Sequence, residues 1–137
     1  MGQQQLLLLV MGVVIVGFAV IAGFAMGQST MRQAAVDNLV DRNLTIATEA
    51  AFWKQKRDPF NGGNASYAGL ATDGMQKLFL GETTVVGYFK ITRATPNELE
   101  VTAVSLRYPE IGVQTFVEGY EIVNTVIAHD GSIQVDL

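Results

Sequence analysis

The feature that most constrains this chain is an uncharged apolar run near its start. From Leu6 to Met26 the sequence reads LLLLVMGVVIVGFAVIAGFAM, 21 residues without a charge or a proline, and the first charged side chain is Arg32. A helix of about 20 residues spans the roughly 30 Å hydrocarbon core of a bilayer. The run therefore predicts a helix that can cross a membrane.

A secretory signal peptide is the main alternative for such a run. Signal peptides carry a basic n-region followed by an apolar stretch of about 7–15 residues. No Lys or Arg precedes Leu6, and the run is longer than that stretch. We therefore expect a membrane-competent helix rather than a signal peptide.

Helical periodicity continues beyond the apolar run. No Pro or Gly interrupts the chain from Gln28 to Asp58, and Pro59 is followed by Gly62–Gly63. Apolar or small residues at i, i+3, i+4 spacing predict one buried stripe on this part of the helix. The predicted stripe comprises Val36, Leu39, Val40, Asn43, Ala47, Ala50 and Ala51. We expect one helix over 1–56, with an apolar segment (1–27) and an amphipathic segment (28–56).

Residues 57–137 predict a small β-rich domain that follows a turn-rich loop. Its β-branched and aromatic runs, separated by turn dipeptides, are typical of an antiparallel meander. We predict about four strands, at 85–94, 98–108, 113–128 with a bend at Gly119, and 132–137 after a turn at 129–131. Residues 75–80 fit a short helix or a strand. The expected fold is α+β, with the sheet packed on the helix stripe.

Composition disfavours several classes of function. The net charge is −4, there is no cysteine, and His129 is the only histidine. A basic patch, the usual mark of nucleic-acid binding, is absent from the sequence pattern, and no catalytic or paired metal-ligand motif is present. We expect no enzyme activity, cofactor, metal or nucleic-acid partner, and we interpret His129 as an exposed turn residue.

Two N-x-S/T sequons provide candidate glycosylation sites. Asn43-Leu-Thr45 lies on the predicted buried stripe, where a glycan would clash, whereas Asn64-Ala-Ser66 lies in the turn-rich loop. Asn64 is therefore the candidate acceptor.

The apolar segment carries the candidate assembly residues. Gly23 and Gly27 form a GxxxG motif, which lets helices approach closely in lipid. Because glycine is also common in membrane helices, both interpretations of these glycines remain open. The residues that we expect to make contacts in an assembly are Gln3, Gln5, Leu8, Gly12, Val14, Gly17, Phe18, Gly23 and Phe24.

This layout resembles the type IV pilin-like family of pilins and pseudopilins. The likeness covers a polar tip (MGQQQ), an unbroken apolar segment, an amphipathic extension, a Gly/Asn-rich loop and an antiparallel sheet. It implies a precursor in the cytoplasmic membrane, an assembly machinery, and a helical homopolymer at the cell surface. It also implies cleavage by a prepilin peptidase after Gly2, which would make Gln3 the first residue.

The chain departs from the family pattern near its start. The family usually has a glutamate at the fifth mature position, where this chain has Gln5 or, counted from Gln3, Leu7. The proline that often kinks the apolar segment is missing too. Two alternatives to a filament subunit stay open: a pseudopilin of a type II-like secretion system, and a single-pass membrane-anchored binding module.

Overall fold

The protein has an α+β fold, as the sequence predicted. The computed structural model describes residues 2–58 and 62–135 of the 137-residue chain. A long helix, α1 (Gly2–Gln55), packs through its C-terminal part on a four-stranded antiparallel sheet. The chain divides into two compact units, Met1–Ala34 and Ala35–Leu137. We call these the N-terminal unit and the head unit, and the division between them falls within α1.

The head unit contains the amphipathic part of α1, whose buried residues form a single stripe. They are Val36, Leu39, Asn43, Ile46, Ala47, Ala50, Trp53 and Lys54. Most of the predicted stripe is thereby confirmed, although Val40 and Ala51 are only half-buried at its margins. Ile46 and Trp53, which the prediction left out, belong to the core.

The helix ends at Gln55, one residue before the predicted end at position 56, and loop amides take its last carbonyl groups. The amide of Gly63 donates to the carbonyl of Trp53 at 2.9 Å, and the amide of Ala65 donates to that of Lys54 at 2.8 Å. Carbonyl groups at a helix end lack partners within the helix and need such donors. Lys54 is the basic residue of the last turn, where a cation favours the helix dipole.

The sheet is a simple meander in which each strand pairs with the next in the chain. Its strands are β1 (Gly87–Ala94), β2 (Glu98–Ser105), β3 (Gly112–Glu118) and β4 (Glu121–Ala128). All three pairings are antiparallel, and Val101 lies between Ile91 on β1 and Thr115 on β3. Two short helices precede the sheet, a 3₁₀ helix (Ala68–Ala71) and α2 (Gly74–Lys77), so the ambiguous segment 75–80 begins as helix.

The predicted third strand is wrong in extent, because 113–128 forms two strands rather than one bent strand. Glu118 pairs with Glu121, so Gly119 and Tyr120 make a tight turn between β3 and β4. Gly119 has a φ of +66°, a conformation that glycine adopts without the steric cost paid by other residues. The long apolar pattern therefore folds back on itself at Gly119.

The predicted last strand is also wrong over its described residues, 132–135, which form no strand. This segment instead packs Ile133 against the sheet, where it is buried. A Cβ placed on Gly112 would lie 2.6 Å from that of Ile133. The amide of Gly131 donates to the carbonyl of Glu110 at 2.9 Å, which directs the chain away from a hairpin with β4. Residues 136–137 lie outside the described part of the chain.

The core of the head unit lies between α1 and the inner face of the sheet. Leu39 is fully buried, and its side chain packs against Gly87 of β1. A Cβ added to Gly87 would lie 3.1 Å from the side chain of Leu39. The side-chain amide of Asn43 donates to the carbonyl of Val113 at 3.4 Å, so the stripe contacts β3 as well as β1. The largest fully buried apolar side chains are Tyr67, Phe89, Leu39, Ile46, Leu70, Met75, Leu99 and Ile111.

A buried cation ties the end of α1 to the β3–β4 turn. The Nζ of Lys54 lies 4.5 Å from the ring centroids of both Tyr67 and Tyr120 and 3.5 Å from the carbonyl oxygen of Gly119. The hydroxyl of Tyr67 donates to the same carbonyl at 2.5 Å. Burial, with a smaller contribution from Tyr120, raises the pKa of Tyr67. Two aromatic faces thus take the place of a carboxylate partner for this ammonium group.

Candidate functional site

The candidate site is the surface of the N-terminal unit. Every described residue from Gly2 to Ala34 is exposed. Phe18 and Phe24 are each 70% exposed, and none of the most apolar window of α1 is buried within the chain. Contiguous apolar surface of this size marks a membrane or protein contact rather than a solvated face. By length and composition, α1 can cross a bilayer.

The predicted assembly residues surround the helix and do not gather on one face. At about 100° per residue, Gln5 and Gly12 fall on one side of α1, and Gln3 and Val14 fall on the opposite side. The complete set spread around the helix in this way is Gln3, Gln5, Leu8, Gly12, Val14, Gly17, Phe18, Gly23 and Phe24. A helix that is apolar all round is one that is covered on all sides, by lipid or by other helices.

A shallow depression lies over Gly12. Leu9, Gly12, Val13 and Val16 line it. These are positions i, i+3, i+4 and i+7 of a helix, the arrangement that forms a hole for a side chain of a facing helix. Sequence reasoning singled out Gly12 but not its three neighbours, although that spacing around a glycine was a readable signal. The depression is suited to receive one apolar side chain.

The glycines of the apolar segment leave open space around the helix backbone. A Cβ at Gly12, Gly17, Gly23 or Gly27 would meet nothing within 4 Å among the residues that the structure describes. No contact within that part of the chain therefore demands glycine at these four positions. Close approach by a second helix or a lipid chain would explain why glycine, which has no side chain, occupies these positions.

The polar tip has no charged side chain. Gly2, Gln3 and Gln5 lie in the first turns of α1, and the first turn contains no acidic residue. Gln3 and Gln5 are exposed. Their side-chain amides can satisfy backbone groups at the helix start or on a neighbouring chain. Gly2 and Gln3 also form the predicted processing point.

The two sequons differ in accessibility. Asn43 is fully buried and its amide is used in the core. Asn64 is exposed in the loop after α1, where its backbone adopts a positive φ of 52°. Its backbone amide donates to the carbonyl of Lys56, and the exposed side chain remains the candidate acceptor.

His129 is exposed at the end of β4 and lies beside Asp130. Hydrogen bonds from Ser132, first from its side chain and then from its backbone, lower the pKa of Asp130. Within residues 2–58 and 62–135, no three His, Asp or Glu side chains are grouped to hold a metal ion. The geometry of this bend is that of a capped turn.

Comparisons with protein-family models, with curated proteins and with solved structures find no match to this chain. The class that fold and surface define is therefore a coarse one. It is an α+β head on a helix whose N-terminal unit is apolar and long enough to enter a membrane.

Proposed function

We propose that this protein is the structural subunit of a type IV pilus-like filament, in which copies polymerise through the N-terminal unit. The observation that carries the proposal is that the apolar residues of this unit, Leu6–Met26, are exposed on every side of α1. An anchor needs only lipid around such a helix. In addition, the glycines leave the backbone of α1 open to close approach, and a depression lies over Gly12. Both features favour contact with other helices.

The subunit begins in the membrane with its apolar residues in lipid. On assembly those residues exchange lipid for the helices of neighbouring subunits. Since lipid tails are as apolar as leucine, the exchange draws its free energy from close packing rather than from the hydrophobic effect. Head-to-tail contacts that repeat without closing then generate a helical filament.

Two substitutions in the apolar segment test the proposal. We expect Leu8→Lys and Val14→Asp to abolish filaments, because a buried unpaired charge among apolar helices costs several kcal/mol, of the order found at a bilayer centre. Leu8→Met is the matched control, since it conserves volume and polarity and should leave assembly intact. The measurement is negative-stain microscopy of material sheared from the cell surface. Normal filaments from either charged variant would refute the proposal.

The same preparation separates the proposal from its alternatives. Long uniform fibres that contain this chain support the filament subunit, and short or absent fibres together with secretion support the pseudopilin. Recovery of the chain only in membrane fractions supports the anchored binding module. Mass spectrometry of the purified chain tests processing, because cleavage after Gly2 gives a protein that starts at Gln3.

A further inference from the structure

The two ends of the head unit differ in where α1 lies. A Cβ on Gly87, at the start of β1, would lie 3.1 Å from the side chain of Leu39, near the start of the helix stripe. Lys54, near the end of the helix, reaches the carbonyl of Gly119, in the turn where β3 ends. α1 therefore runs from the end of the sheet where β1 and β3 begin to the end where they finish. We call the first of these the entry end, because α1 enters the head unit there at Ala35.

The entry end carries an apolar residue at the tip of a tight turn. The amide of Thr84 donates to the carbonyl of Gly87 at 2.9 Å, which places Val85 and Val86 at the centre of the turn. The hydroxyl of Thr84 accepts from the amides of Val86 and Gly87, each at 3.3 Å. Val85 is 94% exposed on this hydrogen-bonded turn. Since Gly, Pro, Asn, Asp and Ser are the usual turn residues, the turn itself does not require a valine.

The connection between β2 and β3 lies beside this turn and adds side chains of a similar kind. The amide of Leu106 donates to the carbonyl of Val86 at 3.2 Å, and Leu106 is 45% exposed. The guanidinium of Arg107 lies 5.7 Å from the ring centroid of Tyr108. Tyr and Arg both combine an apolar body with a polar end, and Tyr is enriched where a protein meets the boundary of a bilayer. The entry end therefore has the side chains of a membrane-contacting surface.

Charge distinguishes the two ends and indicates the kind of lipid. At the opposite end, three carboxylates lie in register on β2, β3 and β4, and they are Glu98, Glu118 and Glu121. Acidic residues near the entry end are Glu82, Glu110 and Asp130, and none of them belongs to the turn 84–87. These carboxylates outnumber Arg107, so attraction to an anionic lipid surface is not expected. The surface at Val85 instead suits zwitterionic phospholipids, which it would contact through apolar groups.

The chain between the apolar segment and the head unit is short enough to keep a bilayer within reach. Nine residues lead from Met26 to Ala35, about 14 Å of helix at 1.5 Å per residue. The headgroup layer takes up about 5–7 Å of that length, and a helix tilt of about 20°, the average in membranes, lowers one side of the head unit further. We propose that in the membrane-inserted precursor α1 tilts toward Val85, so that Val85 and Leu106 enter the headgroup layer of zwitterionic phospholipids. This contact rests on the precursor of the proposed function and adds a second membrane contact to it.

Fluorescent labelling of the full-length chain tests the contact, because the chain has no cysteine of its own. Val85→Cys places the label on an exposed turn, and Asn97→Cys is the matched control at an exposed turn of the opposite end. In phosphatidylcholine vesicles, we expect aqueous iodide to quench the label at position 85 roughly threefold less than the label at 97, because an interfacial side chain lies about 5–10 Å inside the boundary. A phospholipid with a spin label near its headgroup should quench only the label at 85.

A third label separates this contact from the proposed function. A spin label deep in the acyl chains should quench a label on Val14→Cys, and its failure to do so would refute the membrane-inserted precursor and this contact with it. Quenching at position 14 together with equal iodide access at 85 and 97 would overturn the contact alone. Protection at 85 without quenching by the headgroup spin label would also overturn it, because protein rather than lipid would then cover the turn.

A charge at the tip of the turn provides a second measurement. With the label on Leu106→Cys, adding Val85→Glu should raise iodide access to the level found at position 97, because a carboxylate is costly to bring into the bilayer. Val85→Ile is the control that keeps an apolar tip and should keep the label protected. Equal protection in the Val85→Glu and Val85→Ile variants would contradict lipid contact at this turn.

Discussion

Two polar residues, Lys54 and Asn43, are buried in the core, although residues of these types are usually exposed. Lys54 is charged but only 4% exposed, because its ammonium group lies against the rings of Tyr67 and Tyr120 rather than in solvent. Asn43 is polar and fully buried because its amide reaches the carbonyl of Val113. Both side chains connect α1 to the sheet through polar groups, and an apolar residue at either site would leave a carbonyl with fewer partners.

Gly87 offers a test of packing at this scale. A Cβ at Gly87 would clash with the carbonyl oxygen of Val104 and stand 3.1 Å from the side chain of Leu39. We therefore expect Gly87→Ala to destabilise the head unit by about 1–3 kcal/mol, the usual cost of overpacking. Thermal unfolding followed by the fluorescence of Trp53, the single and buried tryptophan, measures the effect.

Gly81→Ala is the matched control for that experiment. Within the described ranges 2–58 and 62–135, its Cβ would meet only the carbonyl oxygen of Thr83, at an ordinary 3.6 Å. Stability should stay close to that of the parent chain, or rise slightly, since alanine restricts the unfolded state more than glycine does. Equal unfolding temperatures for the two variants would contradict the close approach of Val104 and Leu39 to Gly87.

Among the elements, the β3–β4 hairpin depends most on one backbone conformation. The turn between Glu118 and Glu121 has only two residues, and its first, Gly119, has a φ of +66°. The same residue accepts hydrogen bonds at its carbonyl from Tyr67 and Lys54. The turn therefore sets the register of β4 and also fastens the hairpin to the end of α1.

Gly119→Ala isolates the backbone contribution, because an added Cβ there would meet no described residue within 4 Å. We expect a loss of about 1–2 kcal/mol, the cost of a left-handed conformation for an ordinary residue. Gly119→Asn should cost less, because asparagine visits that conformation more readily. Chemical denaturation of the two variants gives the comparison, and an unchanged stability in Gly119→Ala would contradict a tight turn at this position.

At the scale of the whole molecule, α1 serves two units with different demands. Its residues up to Ala34 are exposed throughout, whereas from Val36 to Lys54 it supplies one side of the core. The boundary between the compact units falls within α1, between its exposed residues and those that supply the core. Removing all of α1 would uncover the inner face of the sheet, but removing only the N-terminal unit would not.

Two fragments test this division. We expect residues 35–137 to fold cooperatively and remain soluble, because that fragment keeps the whole apolar core of the head unit. Residues 57–137 lack the helix stripe and should aggregate or stay unfolded, since roughly 80 residues with an uncovered sheet bury too little apolar surface. Size-exclusion chromatography with circular dichroism distinguishes the outcomes. A folded fragment 57–137 would show that α1 is dispensable for the sheet.

Local patterns in the sequence determined the parts of this protein that depend on local physics. The absence of charge up to Met31 and the length of Leu6–Met26 suffice to predict a membrane-competent helix. The 3.6-residue spacing of apolar side chains then predicted the stripe on α1, and turn dipeptides with β-branched runs predicted an antiparallel meander. Each of these signals is carried by neighbouring residues, so no knowledge of distant contacts was needed.

Only the tertiary structure decided features that depend on partners remote in the chain. Residues 132–135 form no strand, because Ile133 packs at Gly112 and the amide of Gly131 donates to the carbonyl of Glu110. The apolar pattern of 113–128 fits one long strand as well as two, and the turn at Gly119 chooses between them. That part of the β1 edge is covered likewise follows from where Glu82 and Thr83 lie. Sequence periodicity encodes which face of an element is apolar, whereas hydrogen-bond partners and strand neighbours are set when distant segments meet.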